Sequence, residues 1–224
     1  MTAIPHIELK ATQRALREGF PPDMGLRVHR SISWIGRAER ETEDCDARFV
    51  FLWIAFNAAY ADERDFAVPA VGGNARRDFA AYFEHLIRLD QAHRIYNAIW
   101  QKFPGPIRLL MENRYVFQPF WSHHNGIEGY EDWSRRFAAA SRTFVAAVTR
   151  HDTVAVLSCL FDRLYVLRNQ IVHGGATWNG SVNRNQAGDG AAILAFLMPL
   201  FVSIMMEHPD EDWGRPFYPV VEAE

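Results

Sequence analysis

The sequence has few cysteines and lacks the common motifs for metal, phosphate or nucleophile chemistry. Its two cysteines, Cys45 and Cys159, lie in helical patterns without a CxxC spacing or a neighbouring histidine. We therefore expect buried thiols and no disulfide framework or zinc site. There is no phosphate-binding glycine loop, no local Ser-His-Asp arrangement and no nucleotidyltransferase signature. These absences argue against the enzyme classes that depend on such motifs.

Long apolar runs and an excess of positive charge are also missing. The longest apolar run, residues 191–206, contains Pro199 and is too short to span a bilayer comfortably, so we expect a core helix. The first residues lack the charged-then-apolar layout of a signal peptide, and we expect a cytoplasmic protein without membrane contact. The formal net charge of −3 argues against a surface that binds nucleic acid throughout. Any such contact must be local.

Helical periodicity dominates the 224 residues. No segment alternates with period two for long enough to indicate a sheet. We predict an all-α, up-and-down bundle of five or six helices in one domain, with Pro119–Gly129 as a loop. The predicted segments are an irregular N-terminal arm (1–35), a helical domain (36–208) and a Pro-rich tail (209–224), with helices beginning after Gly36 and over about 77–102, 107–117, 130–149, 153–173 and 190–207.

The segment LYVLRNQIVHGG, residues 164–175, places polar residues at the end of an apolar helix. Tyr165, Asn169 and His173 are spaced by four and therefore project from one face. Arg168 lies on its flank, and Asp162 is three residues before Tyr165 on the same side. Such a cluster would cost stability if its polar groups had no partner or use. It is therefore a candidate site.

Each residue type in this cluster suits a chemical role. His173 lies in the last turn, where unpaired carbonyls favour a positive charge, and imidazole suits proton transfer near neutral pH. Arg168 offers a fork of donors that matches phosphate oxygens. Asn169 can hold an imidazole or a ligand oxygen. Gly174 and Gly175 favour the left-handed backbone that ends a helix.

Residues 168–173, Arg-Asn-Gln-Ile-Val-His, resemble the signature of the HEPN superfamily: an Arg, a polar neighbour and a His after four intervening positions. The flanking stretches FVFLWIAFNAAYA and LRNQIVHGGATWN resemble a bacterial HEPN-like group whose members are mostly uncharacterised. The resemblance covers about residues 36–208. Members that keep the motif are typically metal-independent endoribonucleases that act as dimers in toxin–antitoxin, antiviral and RNA-processing systems.

The resemblance implies that Arg168, Asn169 and His173 are catalytic, without a metal or other cofactor. The 2'-hydroxyl of single-stranded RNA would attack the phosphate, giving a 2',3'-cyclic phosphate and a 5'-hydroxyl. His173 would transfer the proton, Arg168 would stabilise the growing charge and Asn169 would orient either group. One chain supplies one Arg and one His, so a homodimer through the motif helix would supply the second set. An antitoxin or regulatory protein could be a further partner.

Further residues are candidates for contacts with substrate. Tyr165 and Asp162 share the face of the motif, and Asn57 is a polar residue inside the apolar stretch LWIAFNAAYA. Asn57 could equally be a buried hydrogen-bonding partner of the motif helix. A local basic seam of Arg163, Arg168 and Arg184 could guide RNA despite the acidic balance.

For the motif and for two other patterns, interpretations without a catalytic role stay open. The cluster could be a buried polar network, or the domain could be catalytically inactive and bind RNA, a nucleotide or a protein. A second Arg-x4-His pattern, residues 88–93, has no polar residue after its Arg and no glycine after its His, and we predict a solvated face in mid-helix. His123 and His124 lack metal-ligand spacing and favour a solvated or packing role.

Overall fold

The protein is all-α, as predicted. The computed structural model describes residues 2–61, 79–181, 184–216 and 218–220, and these contain ten α-helices and no strand. The predicted number of five or six helices is therefore wrong. The helices are α1 (His6–Leu16), α2 (Pro22–Glu39), α3 (Cys45–Tyr60), α4 (Ala80–Leu89), α5 (Arg94–Asn97), α6 (Pro104–Glu112), α7 (Gln118–His124), α8 (Trp133–Thr149), α9 (Thr153–Val172) and α10 (Arg184–Glu207).

Contacts divide the chain into two compact units. The first is Met1–Arg77 with Ala191–Glu224, and the second is Asp78–Gly190, so the boundary at 190 lies within α10. The predicted domain of residues 36–208 does not coincide with this division. Its limits stay a prediction, because contacts within one chain do not show which segment folds by itself.

The N-terminal segment is helical, and the predicted irregular arm over residues 1–35 is wrong. It holds α1 and most of α2. Pro5, Pro21 and Pro22 all lie at helix starts, where proline is tolerated because its missing N–H would have no helical partner. In the first unit α2 packs along α3 and buries Val28 completely.

Buried Arg27 connects the end of α3 with the C-terminal tail. Its Nη1 donates hydrogen bonds to the carbonyls of Ala59 at 3.1 Å and Ala61 at 2.8 Å, and its Nε donates to the carbonyl of Gly214 at 3.1 Å. The last carbonyls of a helix have no partner inside it, so this guanidinium satisfies groups that would otherwise be costly to bury. The predicted tail therefore packs within the first unit at least at Gly214, whose carbonyl accepts this hydrogen bond.

The predicted helix over 77–102 is interrupted, and its first two residues lie outside the described part. α4 ends at Leu89, and α5 begins at Arg94. Asp90 explains the break: its buried carboxylate accepts hydrogen bonds from the backbone N–H of Ile95 at 2.7 Å and from Arg94 Nε at 3.0 Å. These bonds satisfy an early amide of α5 and start a new helix. The apolar pattern continues across this helix break, so the sequence did not indicate it.

Other boundaries also differ from the predictions, and in α7 and α10 a proline or a glycine lies inside a helix that it was expected to end or exclude. α7 occupies residues predicted as a loop, with Pro119 in its first turn. α6 ends at Glu112, earlier than predicted, and α8 begins at Trp133. α10 begins at Arg184, six residues before the predicted start, and continues through Gly188.

α10 is the one helix among the described residues whose length and composition would allow it to cross a membrane. Of its apolar stretch, 78% is buried inside the structure. This burial agrees with the predicted core helix. The cytoplasmic location stays a prediction.

α9 is the central helix of the second unit. It packs against α4, α6 and α8. Phe161 on α9 is fully buried, and its ring centroid lies 4.8 Å from that of Phe83 and 5.9 Å from that of Phe79. Aromatic burial of this kind contributes strongly to stability. The packing holds α9 in place and so positions the motif at its C-terminal end.

Candidate functional site

The motif lies on a helix whose two ends are both capped, and the predicted helix over 153–173 is confirmed. Asp152 begins α9, since its carboxylate accepts the N–H of Ala155 at 3.0 Å. The apolar face is buried. Gly174 follows the last turn with a φ of +73°, the left-handed geometry predicted for it.

The predicted polar cluster lies along one partly exposed edge of α9. Asp162, Tyr165, Arg168 and Asn169 are all half-buried. Nη1 of Arg168 donates a hydrogen bond to Oδ1 of Asn169 at 2.8 Å. The bond fixes the guanidinium beside the helix and leaves the Asn169 amide N–H₂ able to donate. The edge is accessible to a ligand and partly ordered before one binds.

His173 ends the helix with its side chain exposed. Its backbone N–H donates to the carbonyl of Asn169 at 3.0 Å, so the residue still belongs to the last turn. In the described part of the chain, the imidazole makes no hydrogen bond or ion pair with a protein group. It is therefore available for proton transfer with a bound molecule.

Gln170 has a positional role that the sequence did not reveal. Its side-chain Nε2 donates to the carbonyl of Tyr115 at 2.5 Å, and its own carbonyl accepts the N–H of Ala176 at 3.0 Å. The first of these bonds spans 55 residues of sequence. A contact at that separation depends on tertiary folding, and nothing in the local pattern around Gln170 indicated it.

Arg163 does not contribute to the surface seam proposed with Arg168 and Arg184. It is 5% exposed, and its guanidinium carbon lies 4.4 Å from the ring centroid of Phe117 and 5.3 Å from that of Phe137. Its charge is stabilised by the faces of these rings inside the second unit. Arg184 is half-buried and donates from Nε to the carbonyl of Gly180 at 3.2 Å.

The roles of the remaining candidates stay predictions. Asn57 is half-buried on α3, in the first unit, and the motif helix belongs to the second. Asp162 and Tyr165 lie on the same edge of α9 as the motif, where they could contact a substrate. Both make further interactions within the protein.

The second Arg-x4-His pattern has exposed Arg and His side chains, as predicted for a solvated face. Arg88 is the penultimate residue of α4 and His93 precedes α5 with a φ of +52°, so the pattern crosses a helix break and its predicted mid-helix position is wrong. The two residues therefore do not share one helix, as Arg168 and His173 do.

The histidine pair takes part in an aromatic cluster. The His124 ring stacks on Phe120 with centroids 4.0 Å apart, and its Nδ1 lies 2.7 Å from the carbonyl of Phe120. His123 lies against Trp133. Among the described residues, no three His, Cys, Asp or Glu side chains are grouped so that they could hold a metal ion.

No family model, curated protein or solved structure matches this chain. The similarity to the HEPN superfamily thus rests on the residues of the motif and its flanks, and stays a prediction. What the structure adds is geometry: an ordered Arg168–Asn169 pair and an exposed His173 at the end of one central helix.

Proposed function

We propose that this chain is a metal-independent endoribonuclease of the HEPN type, which cleaves single-stranded RNA in a cytoplasmic toxin–antitoxin or phage-defence context. The observation that carries the proposal is the hydrogen bond of 2.8 Å between Arg168 and Asn169, beside an exposed His173 on the same helix end. A charged donor and an acid–base group are thus available together. Transesterification of RNA needs both.

In the proposed reaction the 2'-oxygen attacks phosphorus, and the bond from phosphorus to the 5'-oxygen breaks. His173 accepts the proton of the 2'-hydroxyl as general base. Arg168 stabilises the negative charge that grows on the non-bridging oxygens, and Asn169 holds the guanidinium in position. The products are a 2',3'-cyclic phosphate and a 5'-hydroxyl.

The leaving 5'-oxygen needs a proton from the side opposite the attack. One chain offers a single motif histidine, so we propose that the His173 of a second copy acts as this general acid in a two-fold homodimer. Val172, next to His173, is 47% exposed and could pack in such an interface. The site would then be complete only in the dimer.

The direct test is incubation of the purified full chain with end-labelled single-stranded RNA. We expect fragments that end in a 2',3'-cyclic phosphate, formed equally well with and without EDTA, because the mechanism uses only protein groups. His173→Ala protein from the same preparation is the control for contaminating ribonucleases. Equal cleavage by that variant, or cleavage that EDTA abolishes, would contradict the proposal.

A HEPN-like domain that binds RNA, a nucleotide or a protein without cleavage is the second candidate. It is favoured by the way Arg168 and Asn169 already bond each other, which a purely structural pair would also do. The two candidates differ in the effect of Arg168→Ala. An inactive domain should lose stability, since Asn169 would lose its partner, whereas the enzyme should chiefly lose its cleavage rate.

A further inference from the structure

Two exposed aromatic residues lie in segments that contact the motif at Gln170. Trp178 is 72% exposed, and Tyr115 is 39% exposed. Exposed large rings are frequent at binding sites, because they bury much area at little entropic cost. Both rings belong to segments that hydrogen-bond Gln170, which is three residues before His173 and lies on the same side of the helix.

The segment carrying Trp178 folds back on the end of α9. The N–H of Ala176 donates to the carbonyl of Gln170 at 3.0 Å, and the N–H of Gly180 donates to the carbonyl of Thr177 at 2.9 Å. The second bond closes a tight turn with Trp178 at its corner. Two peptide units separate Trp178 from Ala176, so their Cα atoms lie no more than about 7.6 Å apart. The backbone at Trp178 is therefore held close to the C-terminal end of α9.

The segment carrying Tyr115 is fixed by two donors that share one acceptor. Gln170 Nε2 and Trp121 Nε1 donate to the carbonyl of Tyr115 at 2.5 Å and 2.7 Å. The ring of Phe120 meets the Tyr115 ring edge-on, with centroids 5.3 Å apart. The ring is thus oriented by the protein before any ligand binds, which lowers the entropic cost of binding.

Arg114 places a positive charge on this platform. Its guanidinium carbon lies 5.1 Å from the Tyr115 ring centroid, and its Nη2 donates to the Tyr115 hydroxyl at 3.2 Å. The residue is exposed. An arginine beside an aromatic ring combines the two features that bind single-stranded nucleic acid, namely a contact for phosphate and a face for stacking.

We infer that Tyr115 and Trp178 are stacking subsites for bases of single-stranded RNA near the bond cleaved at His173, with Arg114 contacting a phosphate. This inference rests on the proposed ribonuclease function and names how its substrate is held. The net charge of −3 makes affinity from a general basic surface weak, so local stacking supplies binding energy that charge does not.

The neighbours of Trp178 favour RNA over a protein partner. Thr177, Asn179 and Ser181 are exposed polar residues. The centre of a protein interface is usually apolar and poor in such groups, whereas a nucleotide offers many donors and acceptors for them. A role in a protein interface is therefore an outcome that the experiment must distinguish.

The test measures binding of a short fluorescein-labelled single-stranded RNA by anisotropy, with full-length His173→Ala protein so that the probe stays intact. We expect Trp178→Ala and Tyr115→Ala in this background each to weaken binding on the order of 5- to 100-fold. Trp178→Phe should keep most of the affinity, because it keeps a ring. A duplex RNA of the same sequence, whose bases are already stacked, should compete poorly.

Tyr218→Ala is the matched control, since Tyr218 is an aromatic residue of comparable exposure, 71%, that takes no part in the proposed subsites. It should bind RNA with unchanged affinity. Trp178→Ala protein that binds and cleaves RNA normally would overturn the stacking subsites and leave the ribonuclease standing. Binding that depends on Trp178 in a protein that never cleaves RNA would instead overturn the ribonuclease function and leave the stacking subsites standing.

Two further outcomes would also reject the inference. If Trp178→Ala changes the sedimentation coefficient from dimer to monomer, the ring belongs to a protein interface. If neither the wild type nor the His173→Ala protein binds RNA at all, both the subsites and the proposed function fail.

Discussion

Arg168 donates a hydrogen bond from Nη1 to Oδ1 of Asn169, its neighbour in the sequence, at 2.8 Å. Adjacent residues on a helix do not face each other directly, so the long arginine side chain bends across the flank of α9 to reach the amide. One arm of the guanidinium is thereby held, and its other N–H groups are presented in a defined direction. For a phosphate, this is an oriented fork of donors.

Substitution of Arg168 should reduce cleavage more than charge alone explains. We expect Arg168→Ala to lower the cleavage rate on the order of 10²- to 10³-fold. Arg168→Lys keeps the charge but lacks the planar fork, so it should restore only a minor part of the rate. Single-turnover rates with labelled RNA measure both. A lysine variant as active as the wild type would show that geometry at Arg168 is unimportant.

His173→Ala should abolish cleavage, a loss on the order of 10²- to 10⁴-fold, because the proposed mechanism assigns the proton transfer to this imidazole. The exposed imidazole makes no bond with the described protein groups, so the free energy of unfolding should change by less than about 0.5 kcal/mol. Denaturant melts and RNA cleavage on one preparation check both. An unchanged rate with a loss of about 1–3 kcal/mol would instead indicate a structural role.

The protein should be a homodimer at micromolar concentration, with Val172 in the interface. Val172→Asp should shift sedimentation towards monomer and lower cleavage in parallel, because a carboxylate would be buried in an apolar contact. Val145→Asp is the matched control: Val145 is 60% exposed on α8, away from the motif in the sequence. A wild-type monomer that cleaves RNA at full rate would rule out the dimeric site.

Gly174→Ala should destabilise the end of the motif helix. Gly174 has a φ of +73°, which costs a residue with a Cβ about 1–2 kcal/mol. Gly174→Asn should cost less, since asparagine tolerates this geometry. Gly19→Ala is the control, because a Cβ at Gly19 meets open space and its φ is not positive. Urea denaturation measures all three, and equal effects at both glycines would contradict the argument.

Arg163→Ala should destabilise the second unit by about 2 kcal/mol or more. The substitution removes a desolvated cation–aromatic contact with Phe117 and Phe137 and also the packing of the side-chain stem. Exposed Arg142 on α8 gives the control, with an expected change within about 0.5 kcal/mol. If Arg163→Ala instead lost affinity for RNA at unchanged stability, its place in a basic surface seam would have to be reconsidered.

The sequence by itself determined the helical class, the extent of α9 and the position of its cap. These depend on local rules: apolar spacing of three and four residues, and a glycine at 174 after the last turn. It also indicated which side chains share the edge of α9, since residues four apart on a helix lie on one face.

Tertiary structure decided what sequence patterns could not. The helix break at Asp90 depends on a buried carboxylate, and the place of Arg163 depends on rings contributed by Phe117 and Phe137, residues that lie 46 and 26 positions before it. The bond from Gln170 to Tyr115 crosses 55 positions. Burial and long-range partners are set by how helices pack, and a local pattern contains no information on which distant segment a side chain will meet.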